Sequence, residues 1–416
     1  MRALARTVVA GVLLLPALLV EAPGRAESVV AVNAGRILTM AGAPIERGTI
    51  IIREGRIARL GPELKVPEQA TVVDANQSVV MPGLVDANAR FALAGDANEE
   101  SDEITPTFSV RTALDRDSTA LKRALQLGTT TLRLVPGNRN VIGGTGVVIK
   151  ATGGRPAEMV VREDGNLKVV VGDEPAYGNS EPAWERPTSF YYRQPTTRMG
   201  VIWLLRQALF NVQQALRSGA QLSSSQQALA EALQGQVPVE VTVRSAVDIE
   251  TVFEVADEFG LRRLVLVECT EGYKLAPEIA RRDIPVILGP SYYYPADWTQ
   301  SNEGWDVSWN NAGLLARAGV KVALASNNPE GPTDLRQSAM LAVRHGLPAE
   351  EALKAITANA AEVIGVADRV GSLTKGKDAD LLILSGDPLQ ATTRVQSVIV
   401  NGRVVSQAQS GASASG

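Results

Sequence analysis

Residues 79–90 read Val-Val-Met-Pro-Gly-Leu-Val-Asp-Ala-Asn-Ala-Arg. A Met-Pro-Gly turn separates two apolar runs, and the second run passes through Asp86 into the alternating triplet Asn88-Ala89-Arg90. In a strand, side chains two residues apart share a face. Asn88 and Arg90 are therefore expected to project together from the end of one strand.

Downstream of this stretch, short apolar strands alternate with helical patterns, the signature of a parallel α/β sheet. Strands are predicted at 84–90, 129–135, 146–151, 167–171, 237–243, 263–269, 285–288 and 321–326. Helices are predicted at 118–127, 197–218, 248–259, 275–282, 310–318, 335–345 and 349–358. Eight strands with intervening helices predict an α/β fold of the (β/α)8 TIM-type barrel class. A doubly wound sheet is the alternative, but no fingerprint glycine loop follows the first strand. Upstream, 28–80 is rich in short β runs, with Glu54-Gly55 as a hairpin turn, and 379–405 repeats the design around Asn401-Gly402. Two β segments at opposite chain ends predict one composite β-sandwich domain. The expected organisation is a signal segment 1–26, an N-terminal β-sandwich segment 27–82, a barrel 83–364, a C-terminal β-sandwich segment 365–407 and a disordered tail 408–416.

The whole-chain numbers narrow the function classes. The chain has 416 residues, is 45% hydrophobic, and carries a net charge of −4 without a basic run, which argues against a nucleic-acid partner. Arg2 and Arg6, the apolar run 8–20 and Ala26 resemble a secretory signal. Export to the periplasm or beyond is thus expected, with no membrane attachment after cleavage. Cys269 has no partner cysteine, and His345 is the one histidine. A chain with a single histidine can supply at most one of the commonest transition-metal ligand.

Several blocks resemble the imidazolonepropionase-like branch of the amidohydrolase superfamily. They are Met81-Pro82-Gly83; Val141-Ile142-Gly143-Gly144; Thr197-Arg198-Met199-Gly200; Asp248-Ile249 opening a helix that ends Glu258-Phe259-Gly260; Thr270-Glu271-Gly272-Tyr273-Lys274; and the tail Gly371-Ser372-Leu373, Gly376-Lys377-Asp378-Ala379-Asp380-Leu381 and Gly386-Asp387-Pro388. They occur in family order over nearly the whole chain after the signal. The resemblance implies a metal-dependent-hydrolase barrel with a β-sandwich, zinc or another divalent metal, and hydrolysis of carbon–nitrogen bonds. It also implies where the ligands should stand. The first strand's histidine pair falls on Asn88 and Arg90, and the fifth strand's pair on Thr242 and Arg244. The sixth strand's histidine falls on Glu268, with Cys269 as the neighbouring alternative, and the catalytic aspartate falls on Asn327.

Zinc takes deprotonated Cys, His or carboxylate ligands at about 2.0–2.3 Å. Asn and Thr are weak neutral donors and Arg cannot be deprotonated, while Asn327 cannot act as the general base. No cofactor is expected on this reading, and the chain reads as a non-catalytic pseudo-hydrolase. It would serve as a binding or scaffold protein, as a homo-oligomer, or as the partner of a metal-competent paralogue. An atypical hydrolase is one alternative, and a binder of an anionic small molecule held by Arg90 and Arg244 is another. One or both arginines are expected to pair with Glu268 in the space of the absent metal.

Other candidates have plainer readings. His345 is expected to end a helix before Gly346. The loop Gly143-Gly144-Thr145-Gly146 lacks the Lys-Ser/Thr of a phosphate loop. Asp86 is expected to be structural. Tyr292, Tyr293, Tyr294, Trp298, Trp305 and Trp309 either line a pocket or cover the barrel end. Asp297, Glu303 and Asp306 read as solvated charge rather than a calcium loop. Helix 197–218 is expected to pack Trp203, Leu204 and Phe210 against the core or an oligomer contact.

Overall fold

The computed structural model describes residues 29–163, 165–177, 179, 193–289, 306–328 and 331–407. The signal segment, Tyr292–Tyr294, Asp297, Trp298, Glu303, Trp305 and the tail 408–416 lie outside the described residues. Among the described residues no helix is long and apolar enough to cross a membrane.

The chain opens with β1 (Val29–Ile37), β2 (Ile45–Arg53), β3 (Arg56–Pro62) and β4 (Thr71–Pro82). The barrel region follows, built on β5 (Leu84–Ala89), β6 (Thr129–Leu134), β7 (Val147–Lys150), β8 (Val160–Glu163), β9 (Leu167–Val170), β10 (Val239–Val243), β11 (Leu264–Glu268), β12 (Val286–Leu288) and β13 (Val322–Leu324). The chain closes with β14 (Leu381–Leu384), β15 (Val395–Val400) and β16 (Arg403–Gln407). The helices are α1 (Thr119–Gln126), α2 (Pro156–Met159), α3 (Arg198–Ser218), α4 (Ser224–Leu233), α5 (Ala246–Phe259), α6 (Ala276–Arg281), α7 (Asn311–Arg317), α8 (Leu335–Arg344), α9 (Ala349–Ala355) and α10 (Ala358–Val363).

Both chain ends build one continuous seven-stranded sheet, ordered β16-β15-β14-β4-β1-β2-β3. The seam is antiparallel, with Leu381 opposite Pro82 and Leu384 opposite Val79. Its two tight hairpins have the expected chemistry. Glu54 and Gly55 adopt φ of 49° and 78°, and Asn401 and Gly402 adopt 48° and 73°. Left-handed backbone at both central positions is the two-residue turn whose twist matches that of the flanking strands. Val32, Ile50, Ile52, Ile57, Leu381 and Ile399 share this domain's core.

The TIM-type barrel is made by parallel pairing of β5 with β6 and of β9 through β13 in sequence order. One expectation needs correction. The predicted strand 146–151 forms as β7 but runs antiparallel to both β6 and β8. Residues 135–146, which join β6 to β7, are a Pro/Gly/Asn-rich loop without a helix. A parallel neighbour needs a crossover connection of a dozen or more residues, usually helical, and the chain instead turns back on itself. The loop then completes the wall: Val170 N–H donates to Val141 O at 3.0 Å and Gly143 N–H to Lys168 O at 3.0 Å. The other seam closes where Asn327 N–H donates to Asn88 O at 2.9 Å. Val85, Ala87, Val148, Val265, Val267, Ile287 and Ala323 pack as one cluster, distinct from the larger core formed with the surrounding helices.

Helix α3 differs from expectation. Thr197 caps it through its hydroxyl and Gly219 ends it at φ 67°. Its buried face, however, is Val201, Leu205, Ala208, Leu209 and Val212, while Trp203 and Phe210 are 60% and 49% exposed. The helix carries apolar residues on more than one side, so the sequence does not say which stripe meets the core.

Lys150, at the end of β7, makes ion pairs with both Asp378 and Asp380. All three side chains are at most 4% exposed, and they tie the barrel wall to the returning chain.

Candidate functional site

Active sites of (β/α)8 barrels sit at the C-terminal ends of the strands. The residues singled out from sequence meet there. Asn88 lies near the end of β5, with Arg90 just beyond it; Thr242 lies in β10, with Arg244 just past its end; Glu268 ends β11; Asn327 follows β13. Glu268 and Asn327 adopt φ of 67° and 41°. Such left-handed backbone costs a side-chain-bearing residue of order 1–3 kcal/mol and persists where the surroundings hold it.

The surroundings here are a connected polar network. Arg244 Nε donates to Glu268 Oε2 at 2.5 Å, and its Nη2 donates to Glu174 Oε2. Asn327 Nδ2 donates to Glu268 Oε1 at 2.7 Å and to Gly289 O at 3.1 Å. Asn88 Nδ2 donates to Asn327 Oδ1 at 3.0 Å. Asn138 Nδ2 bridges the two carboxylates, 3.2 Å from Glu268 Oε1 and 3.1 Å from Glu174 Oε2. The expected arginine–Glu268 pairing therefore forms with Arg244 alone. Arg90 turns to Glu174 instead, with Nη1 4.0 Å from Oε1, and its buried Nε has no hydrogen-bond partner among the described residues. Thr242 is buried and joins the wall through its carbonyl, which accepts from Val171 N–H at 3.0 Å.

Cys269, the alternative to Glu268, stands outside this network. A Cβ on Gly272 would stand 2.4 Å from its Sγ, so the thiol packs against that glycine within the larger apolar core. Burial pushes its pKa up to about 12, and it remains a thiol. Asp86 is structural, as expected: it accepts from Ser326 N–H at 3.1 Å, from the Ser326 hydroxyl and from Asn88 N–H at 3.2 Å, joining β5 to the segment after β13. His345 caps α8 and stacks on Trp309 with ring centroids 5.6 Å apart. Asp306 is engaged rather than merely solvated, 3.0 Å from Lys274 Nζ.

Three charged groups in or beside this network escaped the sequence reading. Glu174 opens a short helical turn just after β9, between Asp173 and Pro175. Burial works to raise its pKa, but Arg244 and Arg90 prevail and hold the carboxyl down at about 2. Lys168 lies within β9, is 6% exposed, and donates from Nζ to Pro136 O at 2.5 Å. Burial, reinforced by the Arg90 guanidinium, holds it down at about 7. Arg133 of β6 makes an ion pair with Glu240 of β10, and both are almost wholly buried. For Lys168, Arg133 and Glu240 the signal was available: Leu-Lys-Val-Val, Thr-Leu-Arg-Leu and Val-Glu-Val-Thr-Val each place one charge inside a strand too apolar to expose it.

Known proteins give this geometry its relatives. The sequence profile of the amidohydrolase family matches residues 239–405. The amidohydrolase tasK of Hapsidospora irregularis is 26% identical over 85% of this chain, which spans only 39% of that protein's length. An imidazolonepropionase of Symbiobacterium thermophilum is 35% identical over 17% of this chain and 20% of its own. The crystal structure of an amidohydrolase from Thermotoga maritima superposes with a TM-score of 0.82 at 28% identity, covering 91% of this chain and all of the other. Taken with the barrel, the sheet built from both chain ends and the site at the strand ends, these matches support a place for the chain in the amidohydrolase superfamily.

Proposed function

We propose that the barrel mouth binds a small organic anion and that the chain does not carry out metal-dependent hydrolysis. The observation that carries this reading is Arg90. Its side chain is 10% exposed, its buried Nε has no hydrogen-bond partner among the described residues, and its nearest carboxylate stands at 4.0 Å. Arginine presents a planar fork of donors that a carboxylate satisfies two at a time. With Lys168 protonated, three cations (Arg90, Arg244, Lys168) face two carboxylates (Glu174, Glu268) at this site, which leaves net positive charge for an anion.

The donor set argues against zinc on chemical grounds. Of the positions where the resemblance puts ligands and base, only Glu268 is a group that binds zinc well. Both its oxygens are already engaged, by Arg244 on one side and by Asn138 and Asn327 on the other. Among the described residues, no group of three or more His, Cys, Asp or Glu could hold a metal ion. The hydrolytic activity that the relatives' names imply would also need a base where Asn327 stands.

The test combines two measurements. After incubation with zinc and desalting, the protein should retain well under one metal per chain. Malonate should raise the melting temperature with concentration, and Arg90→Met should weaken that response at least tenfold. One tightly held zinc per chain, or a malonate response indifferent to Arg90, overturns the reading.

A further inference from the structure

The loop after β5 and the loop after β6 are zipped to each other by their backbones. Thr105 N–H donates to Ile142 O at 2.9 Å, Ile142 N–H to Glu103 O at 3.1 Å and Val110 N–H to Thr145 O at 3.1 Å. Two glycines allow this close approach: a Cβ on Gly144 would collide with the Phe108 carbonyl, and one on Gly137 with the Asn98 side chain. Between the loops runs a preformed cleft of about 470 Å³, within the usual range for a small-molecule site. Its lining includes none of Arg90, Lys168, Glu174, Arg244 and Glu268, so it is separate from the barrel-mouth network.

The cleft has a buried polar floor. Asn140 and Thr105, 3% and 4% exposed, both line it. Asn140 Nδ2 donates to Asp102 O at 2.7 Å and to Thr105 Oγ1 at 3.0 Å, and the Asp102 carbonyl, which can only accept, fixes which way round the amide stands. Asn140 Oδ1 then accepts no hydrogen bond among the described residues, and Thr105 Oγ1 accepts only from Asn140. A nearly buried oxygen without a donor gains most from a ligand's N–H.

The rim is acidic. Asp96 and Glu99 are exposed along it, and no lysine, arginine or histidine lines the cleft among the described residues. Asp96 Oδ1 accepts from Asn98 N–H and Glu99 Oε1 from Ser101 N–H, which leaves one oxygen of each carboxylate open. Leu93, Val110 and the half-exposed ring of Phe108 form an apolar side.

We propose that this cleft binds a primary ammonium ligand carrying an apolar group. The three N–H donors of an ammonium match Asn140 Oδ1, Thr105 Oγ1 and a rim carboxylate, while the apolar group packs on Phe108, Leu93 and Val110. A neutral alcohol leaves the rim charge unanswered, and a carboxylate meets like charge there.

The experiment is titration of phenethylamine into the full protein by isothermal calorimetry, beside 2-phenylethanol and 3-phenylpropanoate as neutral and anionic counterparts. One saturable amine site per chain is expected, at least tenfold tighter than for either counterpart and weakened by added salt. Phe108→Ala should weaken it at least fivefold. So should Asp96→Asn combined with Glu99→Gln, which removes the charge but keeps the oxygens that hold the loop. All three positions are exposed, so the variants leave the core untouched. No saturable binding, equal affinity for the alcohol, or an amine site indifferent to Phe108 and to the rim charges overturns the proposal. Displacement of the amine by malonate would overturn it as well, by placing the ligand at the barrel mouth.

Discussion

Asn327 gives its side-chain amide to Glu268 at 2.7 Å, joining the segment after β13 to the end of β11. The family pattern places an aspartate where this amide stands, so Asn327→Asp is a direct probe of how far the site has diverged. It would set two carboxylates against each other in a buried site, where one must hold a proton. The pair's raised pKa favours the folded state at low pH, and that help is lost as pH rises through it. Asn327→Asp should therefore destabilise by about 2–4 kcal/mol at pH 8, taking a shift of two to three pKa units as typical, and by less at pH 5. Urea unfolding at the two pH values measures this, and an equal loss at both would mean that the site admits water.

Glu268 neutralises Arg244 from within the same network, both side chains being at most 3% exposed. Glu268→Ala should cost about 3–5 kcal/mol, the usual penalty for leaving a buried charge without its partner. Glu268→Gln keeps the shape and the acceptor towards Asn327 and should cost less. Equal losses in the two variants would assign the effect to packing rather than charge.

Glu174 ties acid stability to the site. Its folded pKa of about 2 lies below the usual 4.5, so it contributes stability that is complete above about pH 4.5 and is lost as pH falls towards 2. Since its side chain retains 23% exposure, the contribution is on the order of 2–3 kcal/mol at most. Glu174→Gln should lower stability at pH 7 and flatten the fall between pH 4.5 and 2, as read from thermal unfolding across that range.

Lys168 acts with the opposite sign. Its folded pKa of about 7 lies below the usual 10.5, so between these values the unfolded chain binds more protons and stability rises with pH. The burial penalty is complete below pH 7 and gone above about 10.5. Lys168→Met should stabilise the protein by several kcal/mol at pH 6 and have little effect at pH 10.5. A variant that destabilises at pH 6 would show that the lysine's hydrogen bond to Pro136 outweighs its desolvation.

The regions of this molecule that were legible in sequence are those governed by local rules. Glu54-Gly55 and Asn401-Gly402 announce their turns because few residue pairs accept left-handed backbone twice in succession. The stretch 84–90 announced its strand and placed Asn88 and Arg90 at its end. The antiparallel course of β7 was not legible, because a strand's own residues do not state which way its neighbour runs. Arg90's choice of Glu174 over Glu268 was equally hidden. It depends on a short turn after β9 whose position is set by the barrel wall and not by its own sequence. On α3, apolar residues on several sides left Trp203 and Phe210 looking like core, and only the packed neighbours decided otherwise.

The seam between β4 and β14 has a bearing on how the chain is made. Residues 79–82 find their partners in 381–384, about 300 residues later. During synthesis the first four strands must wait with one edge of β4 unpaired until residues 381–384 have emerged. Pairings so distant in sequence are slow to form and leave strand edges open to misassembly. The barrel therefore matures between two halves of a sheet that only β14 can join, and a ribosome stalled before residue 381 would leave a chain ready to stick to its neighbours.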